Sequence, residues 1–289
     1  RRELCKEDSI SGMLSVMNAV NETLSMEGMC RLYPVLDSKT GKISDKPVYE
    51  SAFMPGEKKD FTAWKQLPSG EYRLILSVRG RDGKEVSNAD NAVNIVLFSL
   101  KDERPAVFME TFLYEKNTEF DTAHPAIFYF GTSMKDAYVL VDVFGQKGRL
   151  ESRTLSLNDS ILRMEYPYRE EYGDGVAVQF TFVKNGLLYT RRVELRKRLP
   201  ERTLDMKWEV FRDRLLPGQE EEWKLVIKTP QGFPAAAEML AMMYDASLDR
   251  IYSRNQSLSV YYNRYIPYYY WDISNNNGKS YAPYFPVKI

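Results

Sequence analysis

Gly175-Val-Ala-Val-Gln-Phe-Thr-Phe-Val183 and Leu187-Leu-Tyr-Thr-Arg-Arg-Val193, joined by Lys184-Asn185-Gly186, decide the fold class. Both runs place apolar residues at every second position, as strands with one buried face do. Asn-Gly between two such runs is a strong hairpin signal, because both residues tolerate the positive φ that a tight type I′ turn requires. The stretch therefore predicts an antiparallel β-hairpin and a β-rich domain around it.

Moving outward, the same rhythm continues on both sides. Ala106 to Tyr114, Ala126-Ile-Phe-Tyr-Phe130 and Tyr138-Val-Leu-Val-Asp-Val-Phe144 read as strands, the last turning through Gly145-Gln-Lys-Gly148. Upstream, Met29 to Leu36, Val48 to Phe53, Leu67 to Val78 and Asn94 to Leu100 alternate likewise, punctuated by Asp37–Gly41, Pro55-Gly56 and Asp82-Gly83. Short strands at this spacing over about 100 residues match an immunoglobulin-like sandwich. Downstream, Leu204 to Val210 and Glu222 to Lys228 are strands. Ala235 to Asp249 carries helix-forming Ala, Leu and Met, but the turn before it predicts a strand through Tyr244, with a helix beginning only near Asp245. Charged, proline-bearing connectors at Lys-Asp-Glu-Arg104-Pro and Glu194 to Pro200 divide the chain into sandwiches over 1–104, 105–200 and 201–289. The third reads as incomplete, ending in an aromatic tail. The expected class is all-β: tandem immunoglobulin- or fibronectin-III-like sandwiches with little helix.

Composition removes whole classes of function. Forty Lys+Arg balance forty Asp+Glu among 289 residues, so the basic surplus that phosphate contacts need is missing. No apolar run approaches the roughly 20 residues of a membrane span. A single histidine, His124, excludes a multi-histidine metal site. Cys5 and Cys30, the two cysteines, make no C-x-x-C pair and form either one disulfide or two buried thiols. The opening Arg-Arg-Glu-Leu-Cys has no initiator Met and no leader, which reads as a piece of something longer.

Two segments resemble the bacterial alpha-2-macroglobulins, in versions found in Bacteroidetes. They are Phe211-Arg-Asp-Arg-Leu-Leu-Pro-Gly-Gln-Glu-Glu-Glu-Trp-Lys-Leu-Val-Ile and Gly232 to Asp249, which contains Asp245-Ala-Ser-Leu248. Trp64-Lys-Gln-Leu-Pro-Ser-Gly-Glu-Tyr-Arg-Leu and Tyr172-Gly-Asp-Gly-Val-Ala-Val-Gln-Phe are similar to that family too. The resemblance implies three macroglobulin domains from the middle of a cell-envelope protease trap, periplasmic or surface-exposed and anchored through other parts of its parent. Its partners would be neighbouring domains of that parent and, through it, proteases. The family's Cys-Gly-Glu-Gln thioester pattern is absent: Cys5 precedes Lys-Glu-Asp and Cys30 precedes Arg-Leu-Tyr. Neither cysteine carries that role over.

The remaining chemistry reads as structural, and the chain is expected to be neither an enzyme nor a cofactor or metal binder. His124 in Asp121-Thr-Ala-His-Pro125 is a loop residue held extended by the proline. Asn277-Gly-Lys-Ser280 lacks the upstream Gly of a phosphate loop, since Ile273 stands there. Arg191, Arg192, Arg196, Lys197, Arg198 and Arg202 are broken by Glu194 and Glu201 and read as a solvated connector. Glu170, Glu171 and Glu220 to Glu222 sit beside turns, and adjacent strand residues point to opposite faces, so they form no acid–base pair. Eight tyrosines lie between Tyr261 and Tyr284. Within that tail, Tyr268, Tyr269, Tyr270 and Trp271 either pack on a neighbouring domain or form a partner- or glycan-docking surface. That surface belongs to the other reading of the chain, as binding modules of an adhesin or glycan-handling protein. Tyr72, after Leu67-Pro-Ser-Gly-Glu, is placed to make a tyrosine corner: ring in the core, hydroxyl bonded back to the turn at Gln66–Ser69.

Overall fold

A computed structural model describes residues 2–17, 26–80, 83–88, 92–199, 203–212, 216, 218–235 and 265–266. The protein is all-β, with immunoglobulin-like sandwich domains. Helix among the described residues is confined to single 3-10 turns at Thr62–Gln66 and Glu170–Tyr172. The chain divides into two compact units, Arg1–Lys197 with Arg264–Ile289, and Arg198–Asn263.

The first sandwich runs from β1 (Arg2–Cys5) through β2 (Ser11–Met13), β3 (Gly28–Asp37), β4 (Lys42–Ile43), β5 (Tyr49–Phe53), β6 (Lys58–Asp60), β7 (Gly70–Arg79) and β8 (Glu85–Ser87) to β9 (Val93–Phe98). Its main sheet has the order β1-β9-β7-β3-β4, with β5 on β3 and β8 on β7. The β2–β6 ladder and the 3-10 turn bring Ile10, Phe61 and Trp64 onto that sheet's inner face, where Cys30, Leu32, Tyr72, Leu74, Ile95 and Leu97 are buried. Tyr72 alternates with Leu74 toward this core, and its hydroxyl donates to the Pro68 carbonyl at 2.8 Å. Trp64 stacks on Phe61 with ring centroids 4.2 Å apart.

The second sandwich comprises β10 (Phe112–Asn117), β11 (Glu119–Phe120), β12 (Ala126–Thr132), β13 (Ala137–Gly145), β14 (Gly148–Leu157), β15 (Ser160–Tyr166), β16 (Gly175–Lys184) and β17 (Leu187–Lys197). A three-stranded sheet, β10-β12-β15, faces a five-stranded one, β11-β17-β16-β13-β14. Between them lie Phe128, Phe130, Val139, Val141, Val143, Val176, Val178, Phe180, Val193 and Leu195, all 0–1% exposed. The hairpin that opened the sequence reading is β16–β17, paired from Lys184↔Leu187 to Gly175↔Arg196. Asn185 (φ 51°) and Gly186 (φ 77°) turn it, as the type I′ geometry demands.

One expected strand is shortened. Residues 106–111 are not strand; β10 begins at Phe112. Their backbone is committed elsewhere: the Met109 carbonyl accepts from the Ser133 amide at 2.8 Å, and the Glu110 carbonyl accepts from the Thr132 hydroxyl at 2.7 Å. β14 and β15 were not singled out from the sequence, because Arg149, Glu151, Arg153 and Arg163 interrupt their apolar alternation. In the second unit, β18 (Asp205–Val210) pairs antiparallel with β19 (Lys224–Lys228) through a bulge between Trp208 and Val210. Ala236 to Asp249, where a strand and then a helix were expected, lies outside the described residues.

Candidate functional site

A third apolar cluster joins the two sandwiches. The run Ile95-Val-Leu-Phe98 has no polar alternation because β9 is buried on both faces: Ile95 and Leu97 enter the first core, while Val96 and Phe98 meet Met109, Phe112 and Tyr129 of the second sandwich. β12 does the same from the other side, with Phe128 and Phe130 in its own core and Tyr129 in the seam. Phe98 makes edge-on contacts with Phe112 and Tyr114, each with centroids 5.2 Å apart. The connector is knitted in too, since the Glu103 carbonyl accepts from the Ile161 amide at 2.8 Å.

Polar groups close the rim of the seam. The Glu7 carboxylate accepts from the Ser99 hydroxyl at 2.7 Å and from the Leu100 amide at 3.1 Å. Asp8 accepts the Tyr114 hydroxyl at 2.7 Å. Burial alone would raise the Glu7 pKa, but the Ser99, Leu100 and Cys5 donors hold it down at about 2. Cys5 is buried in the seam and Cys30 in the first core; both are free thiols, so of the two states open to them the pair of thiols is the one present. Burial pushes Cys5 up to about 11 and Cys30 upward, which makes both inert while covered.

The second unit carries a cluster of neighbouring aromatic rings that is partly open to solvent. Trp208 is 52% exposed and Phe211 50%, and with Trp223 they form a cluster whose ring centroids are 5.1–6.2 Å apart. Lys224 pairs with Glu209 at 2.5 Å and Arg212 with Glu221 at 3.5 Å beside it. The sequence reading looked for such a surface in the tail instead. Tyr268, Tyr269, Tyr270 and Trp271 lie outside the described residues, as does Asn277–Ser280. The signal for the actual cluster was Trp208 and Phe211 three apart, facing Trp223 across a Pro-Gly turn.

The other candidates are structural in their geometry. His124 Nδ1 lies 3.0 Å from Asp121 Oδ1, which also accepts the Ala123 and His124 amides, so the carboxylate caps an exposed turn. Arg192 and Arg196 both pair with Glu194, and Lys197 lies 4.8 Å over the Tyr168 ring, so these three members of the basic run are matched locally. Glu171 pairs with Arg169 and Glu221 with Arg212. Asp142 is the chemical oddity: 1% exposed on β13, neither oxygen hydrogen-bonded, and the Arg149 guanidinium 3.7 Å away. Among the described residues no group of three His, Cys, Asp or Glu could hold a metal, and no helix is long and apolar enough to cross a membrane.

No family model and no curated protein matches the chain. Among solved structures, it is similar to a tetra-tandem repeat from the extending region of a large adhesion protein (13% identity, TM-score 0.25), covering 64% of this chain and 45% of that one. It is also similar to the amphioxus IgVJ-C2 molecule (9% identity, TM-score 0.20; 67% and 99% covered). A third similarity is to the BSP domain of a biofilm-associated protein (10% identity, TM-score 0.22; 69% and 29% covered). The chain thus spans less than half the length of the adhesion-protein repeat structure.

Proposed function

We propose that this chain is a non-catalytic binding module of a multidomain cell-envelope protein of adhesin type, whose Arg198–Asn263 unit carries a carbohydrate-contacting aromatic surface. The observation that carries this reading is the pair of exposed rings Trp208 and Phe211, backed by the half-buried Trp223. Flat rings offer their faces to the C–H faces of sugars at little conformational cost, and the flanking Lys224–Glu209 and Arg212–Glu221 pairs supply hydroxyl partners. The test is affinity electrophoresis of the full chain through a panel of polysaccharides. Retardation by at least one is expected, weakened about tenfold or more by Trp208→Ala at unchanged circular dichroism. Migration unaffected by every polysaccharide, or retardation indifferent to both Trp208→Ala and Phe211→Ala, would overturn it.

A scaffold segment of a macroglobulin-type protease trap is the second reading, favoured by the resemblance of Phe211–Ile227 and Gly232–Asp249. It is a binding-independent role, so it predicts no polysaccharide retention and a parent chain carrying Cys-Gly-Glu-Gln further along. Under either reading the chain turns over no peptide, ester or glycoside. Turnover that disappears with His124→Ala would contradict both.

A further inference from the structure

We propose that the N-terminal segment, β1 with Lys6 to Asp8, is a latch that fixes the angle between the two sandwiches and can open without unfolding either. Three observations place it there. First, β1 stands at the edge of its sheet and pairs only with β9, in parallel, from Arg2↔Ile95 to Cys5↔Phe98. An edge strand of four residues is held by few ladder bonds and costs little to release compared with the ten-residue strands at the centre of the sheet.

Second, the segment touches three separate parts of the molecule. Lys6 donates through its amide to the Phe98 carbonyl at 2.8 Å and through Nζ to the Leu67 carbonyl at 3.1 Å, both in the first sandwich. Glu7 grips the connector at Ser99 and Leu100. Asp8 accepts the hydroxyl of Tyr114, which belongs to β10 of the second sandwich. Third, Cys5 is the segment's buried contribution to the seam, 3% exposed beside Val96, Phe98 and Phe112. The first core is completed by Ile10, Leu32, Tyr72 and Leu97 and takes none of its fully buried members from β1. Withdrawing Arg2–Asp8 therefore exposes one wall of the seam and removes the partly buried Leu4 from the edge of the first core, while the fully buried members of both sandwich cores stay in place.

The two thiols report on the two events separately. Cys5 reacts with an alkylating reagent when the latch opens, and Cys30, 0% exposed on β3, when the first sandwich unfolds. The experiment is iodoacetamide labelling of the full chain under native conditions, with each site quantified by peptide mass spectrometry. Cys5 is expected to react at least tenfold faster than Cys30. Tyr114→Phe keeps the ring and removes the hydroxyl, which bonds Asp8 across the sandwiches and also meets the Cys5 thiol; it is expected to accelerate Cys5 about tenfold, the scale of one charge-assisted hydrogen bond, with Cys30 unchanged. Equal rates for the two thiols in the native protein, or equal acceleration of both in Tyr114→Phe, would show that β1 opens only with its sandwich and would overturn the latch. Arg31→Lys serves as a control on β3 of the same sheet, two strands away from β9, where Arg31 pairs with Glu50 and Glu85; it is expected to leave the Cys5 rate unchanged, and a Cys5 rate that rises with it would count against the latch.

Discussion

Tyr72 ties a turn to a core with one hydroxyl. Its ring is 4% exposed, its hydroxyl donates to the Pro68 carbonyl, and burial raises its pKa, so removing the oxygen loses the bond that ties the turn to the core. Tyr72→Phe is expected to lower stability by about 1–3 kcal/mol, read from the midpoint of a urea melt, and Tyr72→Ala by more, since a cavity is added. This contact was legible in the sequence because Pro68 and Gly70 fix the turn and alternation fixes the face. Asp142 was not legible, because a polar residue in Tyr138–Phe144 reads as simply outward-facing. In the structure it is a buried carboxylate with no hydrogen bond and a guanidinium at 3.7 Å, a costly arrangement for a group of that kind. Asp142→Val is expected to raise the urea midpoint, by about 1 kcal/mol or more of stability. A drop instead would mean that the carboxylate has a partner role.

At the scale of elements, the informative feature is the pair of strands buried on both faces. Period-two reading finds β9 and β12 as strands but assigns each a wet face, and so misses the seam. The sign was present in the unbroken apolar runs Ile95–Phe98 and Ala126–Phe130, a pattern that belongs to strands covered from both sides. The charged connector around Arg104 looks like the boundary of an independent domain, whereas its Glu103 carbonyl is bonded into the second sandwich. Phe98→Ala is accordingly expected to cost about 3–5 kcal/mol, as for a core phenylalanine, although strict alternation with Leu97 would place it in solvent. Calorimetry of the full chain checks this. A loss under about 1 kcal/mol would mean that the seam contributes little.

For the whole molecule, acid is a condition that weakens the seam through Glu7. Glu7 has a folded pKa of about 2, below its ordinary value near 4.5, so its contribution is complete above that ordinary value. It is lost as the pH falls from about 4.5 toward 2. Unfolding free energies measured between pH 6 and 2 should decline over that window, and Glu7→Gln should flatten part of the decline; identical slopes in the two proteins would remove Glu7 from the account. The same rim bears on how the chain is first made. Asp8 and Tyr114 are 106 positions apart in sequence, and β1 finds its ladder only on the last strand of its sandwich. Closing so long a loop is slow relative to the local hairpins between. During synthesis β1 must therefore wait until β9 has emerged, leaving Arg2–Cys5 uncommitted while the strands between them pair.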